Sequence, residues 1–284
     1  MDRRTFLTSL GMAAAAAQLS CASGAGSATP SRRLRRIGIQ LYTLRDDARR
    51  DLERTLGDIA ATGYNDVELL GASNNFGVPS ERIRAILDRN GLRAPSTHVA
   101  GSALDDLARQ LGDAATLGHQ YLIVASLPLA EPPTLDDYRH WADRLNESGA
   151  RAMTQGVRIG FHNHAEDFRL IEGAVPYDVL VERTDPKVVR LELDTGNLVS
   201  AGHDPLEYMK RFGSRYWLFH IKDVPRLGAT TDTELGQGVM DFKRLFASID
   251  HVDEKLLFVE QETYPGTPLE SARRDYEYLS KLRF

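Results

Sequence analysis

Four short apolar runs of the chain each end in ionisable residues. Residues 157–168 read VRIGFHNHAEDF and place His162, Asn163 and His164 at the polar end, followed by Glu166 and Asp167. Residues 188–197 (VVRLELDTGN) carry Glu192 and Asp194. Residues 216–223 (YWLFHIKD) carry His220, Lys222 and Asp223, and residues 256–262 (LLFVEQE) carry Glu260 and Glu262. Earlier runs add Glu68, in YNDVELL, and His98. Imidazole nitrogens mixed with carboxylate oxygens suit Mn2+, Zn2+, Fe2+ or Co2+, whereas an all-oxygen set favours Mg2+ or Ca2+. The same groups move protons once their surroundings tune them. Taken singly, each has a plainer role: a strand-end histidine packs, and Asp194, ahead of Thr195 and Gly196, can cap a helix. Four such ends in succession point to one divalent metal or acid–base site.

Such ends work together only if strands bring them to one place. Alternate residues of a strand share a face, so His162 with His164, Glu192 with Asp194, His220 with Lys222 and Glu260 with Glu262 form a consistent inward set. Apolar runs at 36–41, 64–70, 92–99 and 121–124 precede these four and read as strands. Between the runs lie stretches of helical spacing. Leu52, Leu56, Ile59 and Ala60 recur on one face before Gly63, and 134–155 forms the longest helix, with Trp141 in its core face. Repeated βα units of about thirty residues imply a parallel sheet with helical crossovers. Eight of them fit a closed (β/α)8 TIM barrel of the α/β class, whose site lies at the C-terminal ends of the strands. An open doubly wound sheet would place a Gly-rich phosphate loop after the first strand, and GIQLYTLRDD has none. Tyr42 and Trp217 are the aromatic candidates for stacking on a substrate ring. The loops at 132–136 and 228–238 are expected to select the substrate.

The chain has 284 residues, a net charge of −5, 26% charged and 42% hydrophobic residues. This composition suits a globular domain and gives no electrostatic reason for a nucleic-acid partner. Its single cysteine, Cys21, rules out an intrachain disulfide. Residues 1–30 are set apart: Arg3-Arg4 precede Phe6-Leu7 and an alanine-rich apolar stretch too short for a comfortable membrane span. They resemble a twin-arginine export signal with a cleavage site at Gly26-Ser27-Ala28, which implies a periplasmic or exported protein without a membrane span after cleavage. Cys21 is a weaker candidate for a lipid anchor. The remainder, 31–284, reads as one barrel domain.

HNHAEDF, LELDTGNLVSAGHDP, FHIKDVPR and FVEQE, in that order, resemble the sugar phosphate isomerase/epimerase superfamily of xylose isomerase-like barrels. GIQLYTLR and YNDVELL are similar to its typical openings, so the resemblance spans the whole chain after the leader. It implies one divalent metal, Mn2+, Co2+ or Zn2+ rather than Mg2+, held by His162, Asp194, His220 and Glu260. His162 stands where many relatives carry a glutamate, and Asn197 where many carry a histidine. The resemblance also implies that Arg226 reaches a substrate oxygen. Glu68, His98, His164 and Asn197 complete the expected substrate-binding set, Glu68 either touching hydroxyls or pairing with Lys222. Homo-oligomers are common in the family, though no residue here shows one.

The activity implied is a metal-dependent sugar isomerase or epimerase that abstracts a proton α to a carbonyl of a keto sugar or polyol. Glu260 or His162 would be the base, with Lys222 or His164 assisting a departing oxygen. Paired-glutamate epimerisation is altered by His162, which makes β-elimination from 3-keto-glycosides or inosose-like substrates the alternative. A further alternative is a sugar-binding barrel without catalysis. A nuclease of the same superfamily is opposed by Asn197 and the acidic balance.

Overall fold

The computed structural model describes residues 32–284, so Arg3, Arg4, Cys21 and the 26–28 cleavage site lie outside the described residues. The strands are β1 Gly38–Gln40, β2 Asp66–Leu69, β3 Arg93–Ala100 and β4 Tyr121–Ser126. They continue as β5 Arg158–His162, β6 Val189–Asp194, β7 Tyr216–Ile221 and β8 Leu256–Val259. All pairings are parallel, and β1 pairs with β8, which closes the barrel. The helices are α1 Arg45–Arg50, α2 Leu52–Thr62, α3 Ser80–Asn90, α4 Leu107–Leu117 and α5 Leu135–Met153. They are followed by α6 Pro176–Arg183, α7 Thr195–Ser200, α8 Pro205–Phe212, α9 Phe242–Ser248 and α10 Pro268–Lys281. The eightfold βα repeat of the sequence is therefore present, with α1 and α7 as short additions just after β1 and β6.

Local chemistry explains the punctuation. The Asp51 side chain accepts the Arg54 N–H and starts α2, which buries Leu52, Leu56 and Ile59. Each such aliphatic side chain taken fully from water stabilises the fold by about 1.5–3 kcal/mol. The helix ends at Gly63, whose φ of 115° only glycine adopts without strain. The long α5 starts with a reciprocal Thr134–Asp137 capping box, and Trp141 is buried on its core face as the periodicity predicts.

The register fixes which side chains enter the barrel. Gln40 pairs with Glu68 and Glu68 with Ser96, while His98, Ile123 and Gly160 lie side by side. His162 pairs with Glu192, Asp194 with His220, and His220 with Phe258. Ile123, Leu218 and Phe258 form an apolar plug of the interior. It fits because Gly160 is small: a Cβ there would lie 2.4 Å from Ile123 Cδ1. On this plug stands the ionisable layer. The loop between β7 and α9 is folded onto the barrel by buried Asp223, which accepts the N–H groups of Val224, Gly236, Gly238 and Met240. Among the described residues, no helix is long and apolar enough to cross a membrane.

Candidate active site

At the C-terminal end of the barrel, Asp194, His220 and Lys222 are all buried, as are His162 and Glu260, and Glu68 and Glu192 are buried beneath them. The expected inward parity holds for His162, Glu192, Asp194, His220, Lys222 and Glu260. His164 and Glu262 follow the ends of β5 and β8 and line the cleft above.

Asp194 takes the helix-capping role that its sequence position allows and keeps its second oxygen on the Lys222 side. One carboxylate oxygen, Oδ1, accepts the Asn197 N–H at 2.7 Å and caps α7. The other accepts from Asn197 Nδ2 at 2.9 Å and lies 3.2 Å from Lys222 Nζ. The Asp194 backbone is clamped by Asn163, whose Oδ1 accepts its N–H at 2.9 Å and whose Nδ2 donates to its carbonyl at 3.2 Å. Asn163 thus bridges β5 and β6 rather than facing the cleft. Lys222 Nζ sits 2.7 Å from Glu260 Oε2 and 2.7 Å from Glu262 Oε1. His220 Nδ1 lies 3.1 Å from Glu260 Oε2 and 3.9 Å from Asp194 Oδ2. His162 Nε2 lies 3.9 Å from that same Asp194 oxygen.

These groups fit a divalent cation. Glu68, Glu192, Asp194 and Glu260 are four buried carboxylates, and the buried Lys222 ammonium is the one fixed cation among them. Unbalanced buried negative charge is costly, so neighbouring imidazoles or a bound cation must offset it. Titration follows the field. Burial opposes charge on His98, but Glu68 and Glu192 outweigh it and raise the ring to about 9. Burial likewise works against the Lys222 ammonium, yet Asp194, Glu260 and Glu262 drive it well above its ordinary value. His162 goes the other way: burial and then the rings of His220, His98 and His164 hold it well below its ordinary value, hence neutral. Asp194, His220 and Glu260 present ligand atoms all within 4.8 Å of one another, as do His98, His162, Glu192 and His220. Both groups reach the cleft, the first through Glu260 and the second through His98 and His162, so either leaves an exchangeable position open.

The cleft has a volume of about 280 Å3 and is lined by Tyr42, His98, His162, His164, Asn197, Glu260 and Glu262, among others. A second hollow of about 280 Å3 shares Asn197 and Glu262 with it and adds Arg45, Ser200, Thr230, Thr231 and Asp232. A third, of about 420 Å3, extends from Asn197 past Ser200 and Thr230 to Glu166 and Arg169. His98, His164 and Asn197 accordingly line the cleft as expected.

Three expected residues do not. Glu68 is fully buried and spent on other partners: Gln40 Nε2 donates to it at 2.8 Å, the Ser96 hydroxyl donates to it, and His220 Nε2 lies 2.6 Å away. It reaches neither the cleft nor Lys222, because its strand position lies below the mouth. Arg226 is exposed and lines none of the three hollows, because the Asp223 anchor turns the chain outward there. Trp217 lies near the N-terminal end of β7, opposite the mouth, with Arg190 and Lys255 over its ring at 5.0 and 4.0 Å. Tyr42, just after β1, does line the cleft, with the Arg45 guanidinium 4.4 Å from its ring centre. Of the two loops expected to select substrate, the one at 228–238 reaches the groove through Thr230, Thr231 and Asp232, whereas 132–136 lines none of the three hollows. The sequence reading missed Arg45; its signal was LYTLR directly after the first strand.

The chain is similar to known proteins. Inosose dehydratase of Geobacillus kaustophilus is 26% identical over 273 residues, covering 81% of this chain and 87% of that enzyme. Inosose dehydratase of Bacillus cereus is 26% identical over 200 residues, covering 63% of this chain and only 66% of that enzyme. The crystal structure of a sugar phosphate isomerase/epimerase from Parabacteroides distasonis superposes with a TM-score of 0.76 at 26% identity, covering 87% of this chain and 98% of that one. The family profile described as xylose isomerase-like TIM barrel matches residues 56–282, from α2 to the end of α10 and through every strand that supplies a donor to the mouth. With the closed barrel and its mixed imidazole–carboxylate mouth, this match shows that the chain belongs to the xylose isomerase-like TIM barrel family.

Proposed function

We propose that the chain is a divalent-metal-dependent lyase that removes the proton α to the carbonyl of a keto sugar or inosose-like polyol and expels the β-oxygen substituent. This places elimination ahead of the isomerase or epimerase chemistry that the resemblance alone implies. The observation that carries it is the asymmetry of the mouth. One side offers the carboxylate Glu260 with the Lys222 ammonium against it, and the other offers the neutral imidazole His162. Epimerisation by two equivalent carboxylates needs a matched pair across the substrate; elimination needs one base and a group that steadies the departing oxygen. The inosose dehydratase relatives support the same class of reaction.

His162, Asp194, His220 and Glu260 would hold the metal, which when bound acts as a Lewis acid that polarises the substrate carbonyl and acidifies the adjacent C–H. The remaining steps belong to the chain. Glu260 accepts the α proton. The C–H electron pair becomes the Cα=Cβ bond as the Cβ–O bond breaks, giving an unsaturated ketone and the departing oxygen group. Lys222 remains an ammonium and serves as fixed positive charge beside the oxygens. His164, half-buried at the cleft, supplies the proton to the leaving oxygen. Tyr42 and Asn197 orient the ring. Ser200, Thr230 and Thr231 in the adjoining hollow favour a departing group larger than hydroxide, as in a keto-glycoside. The leader supports a second proposal, export through the twin-arginine route; retention of a reporter fused to residues 1–31 in the cytoplasm would refute it.

The test combines metal analysis with substrate trapping. Purified protein is expected to carry about one transition metal per chain, and Asp194→Ala and His220→Ala to lose it. In deuterated water, a panel of inososes and 3-keto-glycosides should yield the unsaturated ketone. Conversion to a deuterated epimer instead would return the assignment to epimerase, and neither product across the panel would leave only sugar binding.

A further inference from the structure

Beneath the donors that face the cleft lies a closed polar layer made of Gln40, Glu68, Ser96, His98 and Glu192. All five are buried, and only His98 touches the cleft. The layer meets the two inward histidines from behind, and it meets them through opposite ring nitrogens. His162 turns Nδ1 to Glu192 Oε2 at 3.0 Å, which leaves Nε2 on the Asp194 side. His220 turns Nε2 to Glu68 Oε2 at 2.6 Å, which leaves Nδ1 toward Glu260 and Asp194. A neutral imidazole has one N–H. A carboxylate at one nitrogen holds the proton there and presents the other nitrogen as a lone pair. Glu192 therefore holds the His162 proton at Nδ1; Glu68, at 2.6 Å against 3.1 Å for Glu260 and with Glu192 Oε2 a further contact at 3.4 Å, holds the His220 proton at Nε2, so a cation bound beside Asp194 and Glu260 would meet His162 Nε2 and His220 Nδ1 as lone pairs.

His98 ties the two halves together. Its Nε2 lies 2.8 Å from Glu192 Oε2 and 3.2 Å from Glu68 Oε2, so one ring nitrogen spans the two carboxylates. Its ring also stacks on His220, with centres 4.9 Å apart and an interplanar angle of 13°, and meets His162 edge-on at 4.7 Å. Gln40 and Ser96 hold Glu68 from the other side. Every contact in this layer either points a ligand histidine or holds the group that points it.

We propose that Glu68, Glu192 and His98 are positioning residues that set the metal affinity of the site by fixing the tautomers of His220 and His162, without themselves binding the metal. The inference rests on the metal-centre reading above. It assigns to Glu68 and Glu192 a role that neither substrate contact nor direct ligation describes. The competing arrangement is an ion held directly by His98, His162, Glu192 and His220.

The experiment uses the purified chain loaded with Co2+ and reads the dissociation constant by chelator competition, the ion count at saturation and the visible d–d spectrum. Glu68→Gln and Glu192→Gln keep shape and remove the charge. His98→Asn removes the bridge without altering either carboxylate, so it probes the layer independently of them. Each is expected to weaken Co2+ binding by about 10–100-fold, to keep one ion per chain at saturation and to shift the d–d bands, the range found for partners behind a metal ligand. Two ions per wild-type chain, or complete loss of binding in Glu192→Gln and His98→Asn, overturns the inference in favour of direct ligation. Affinity within twofold of wild type and an unchanged spectrum in all three variants overturns it in favour of plain packing. No Co2+ binding by the wild-type chain overturns the metal reading itself, and the inference with it.

Discussion

Asp275, on α10, gives the most quantitative prediction. Its side chain is buried; Oδ1 accepts the Leu235 N–H at 2.8 Å, and Oδ2 has no partner. Burial, reinforced by the negative neighbours Glu234, Asp232 and Asp223, raises the carboxyl from 3.8 to about 7. The folded state therefore keeps a proton that the unfolded chain has already released. Between those two values folding is coupled to proton uptake, so the stability from this group is fully present below about pH 4 and lost as pH rises through about 7. A shift of about three units at about 1.36 kcal/mol each is worth about 4 kcal/mol. Asp275→Asn mimics the protonated form and keeps an acceptor for Leu235. Urea unfolding of the wild type and variant at pH steps from about 4 to 8.5 should show equal stability at the acid end. The variant should gain progressively, to about 4 kcal/mol, at the alkaline end. A difference that does not change with pH would mean that Asp275 is ionised throughout, and the argument from its unpartnered oxygen would fail.

Three further outcomes follow from single contacts. Asp223→Ala leaves four loop N–H groups without their acceptor and should cost about 3–5 kcal/mol, with faster amide exchange at Gly236, Gly238 and Met240; unchanged exchange there would show that the loop is held by other means. Gly196→Ala would set a Cβ 2.5 Å from Lys222 Cγ, 2.6 Å from its Cδ and 2.9 Å from its Cβ, so the ammonium must leave Glu260; turnover should fall about a hundredfold, and undiminished turnover would remove Lys222 from the mechanism. Tyr42→Ala removes the exposed aromatic wall of the cleft and should raise KM about tenfold with kcat nearly unchanged, whereas a fall in kcat alone would place the ring at the reacting atoms rather than at the sugar face.

The repeat, the barrel and the inward parity of the polar strand ends were legible along the chain alone. Those are local facts: period-two alternation along a strand, a capping aspartate and a stop glycine are written in neighbouring residues. Hence His162, Asp194, His220, Lys222 and Glu260 were legible before any coordinates, and so was their convergence. What lay beyond was set by register and loop path. Glu68 and His98 carry the same strand-end signal, yet one sits below the mouth and the other at its edge, because barrel stagger places equivalent positions of different strands at different depths. Arg226 follows a motif that points to the site, but the carboxylate of Asp223 holds distant backbone at 236–240 and turns Arg226 to solvent. Which ring nitrogen of His162 and of His220 turns toward Asp194 was set by the folded barrel alone. That choice depends on carboxylates brought from strands 30 and 152 residues away in sequence, and no local pattern records them.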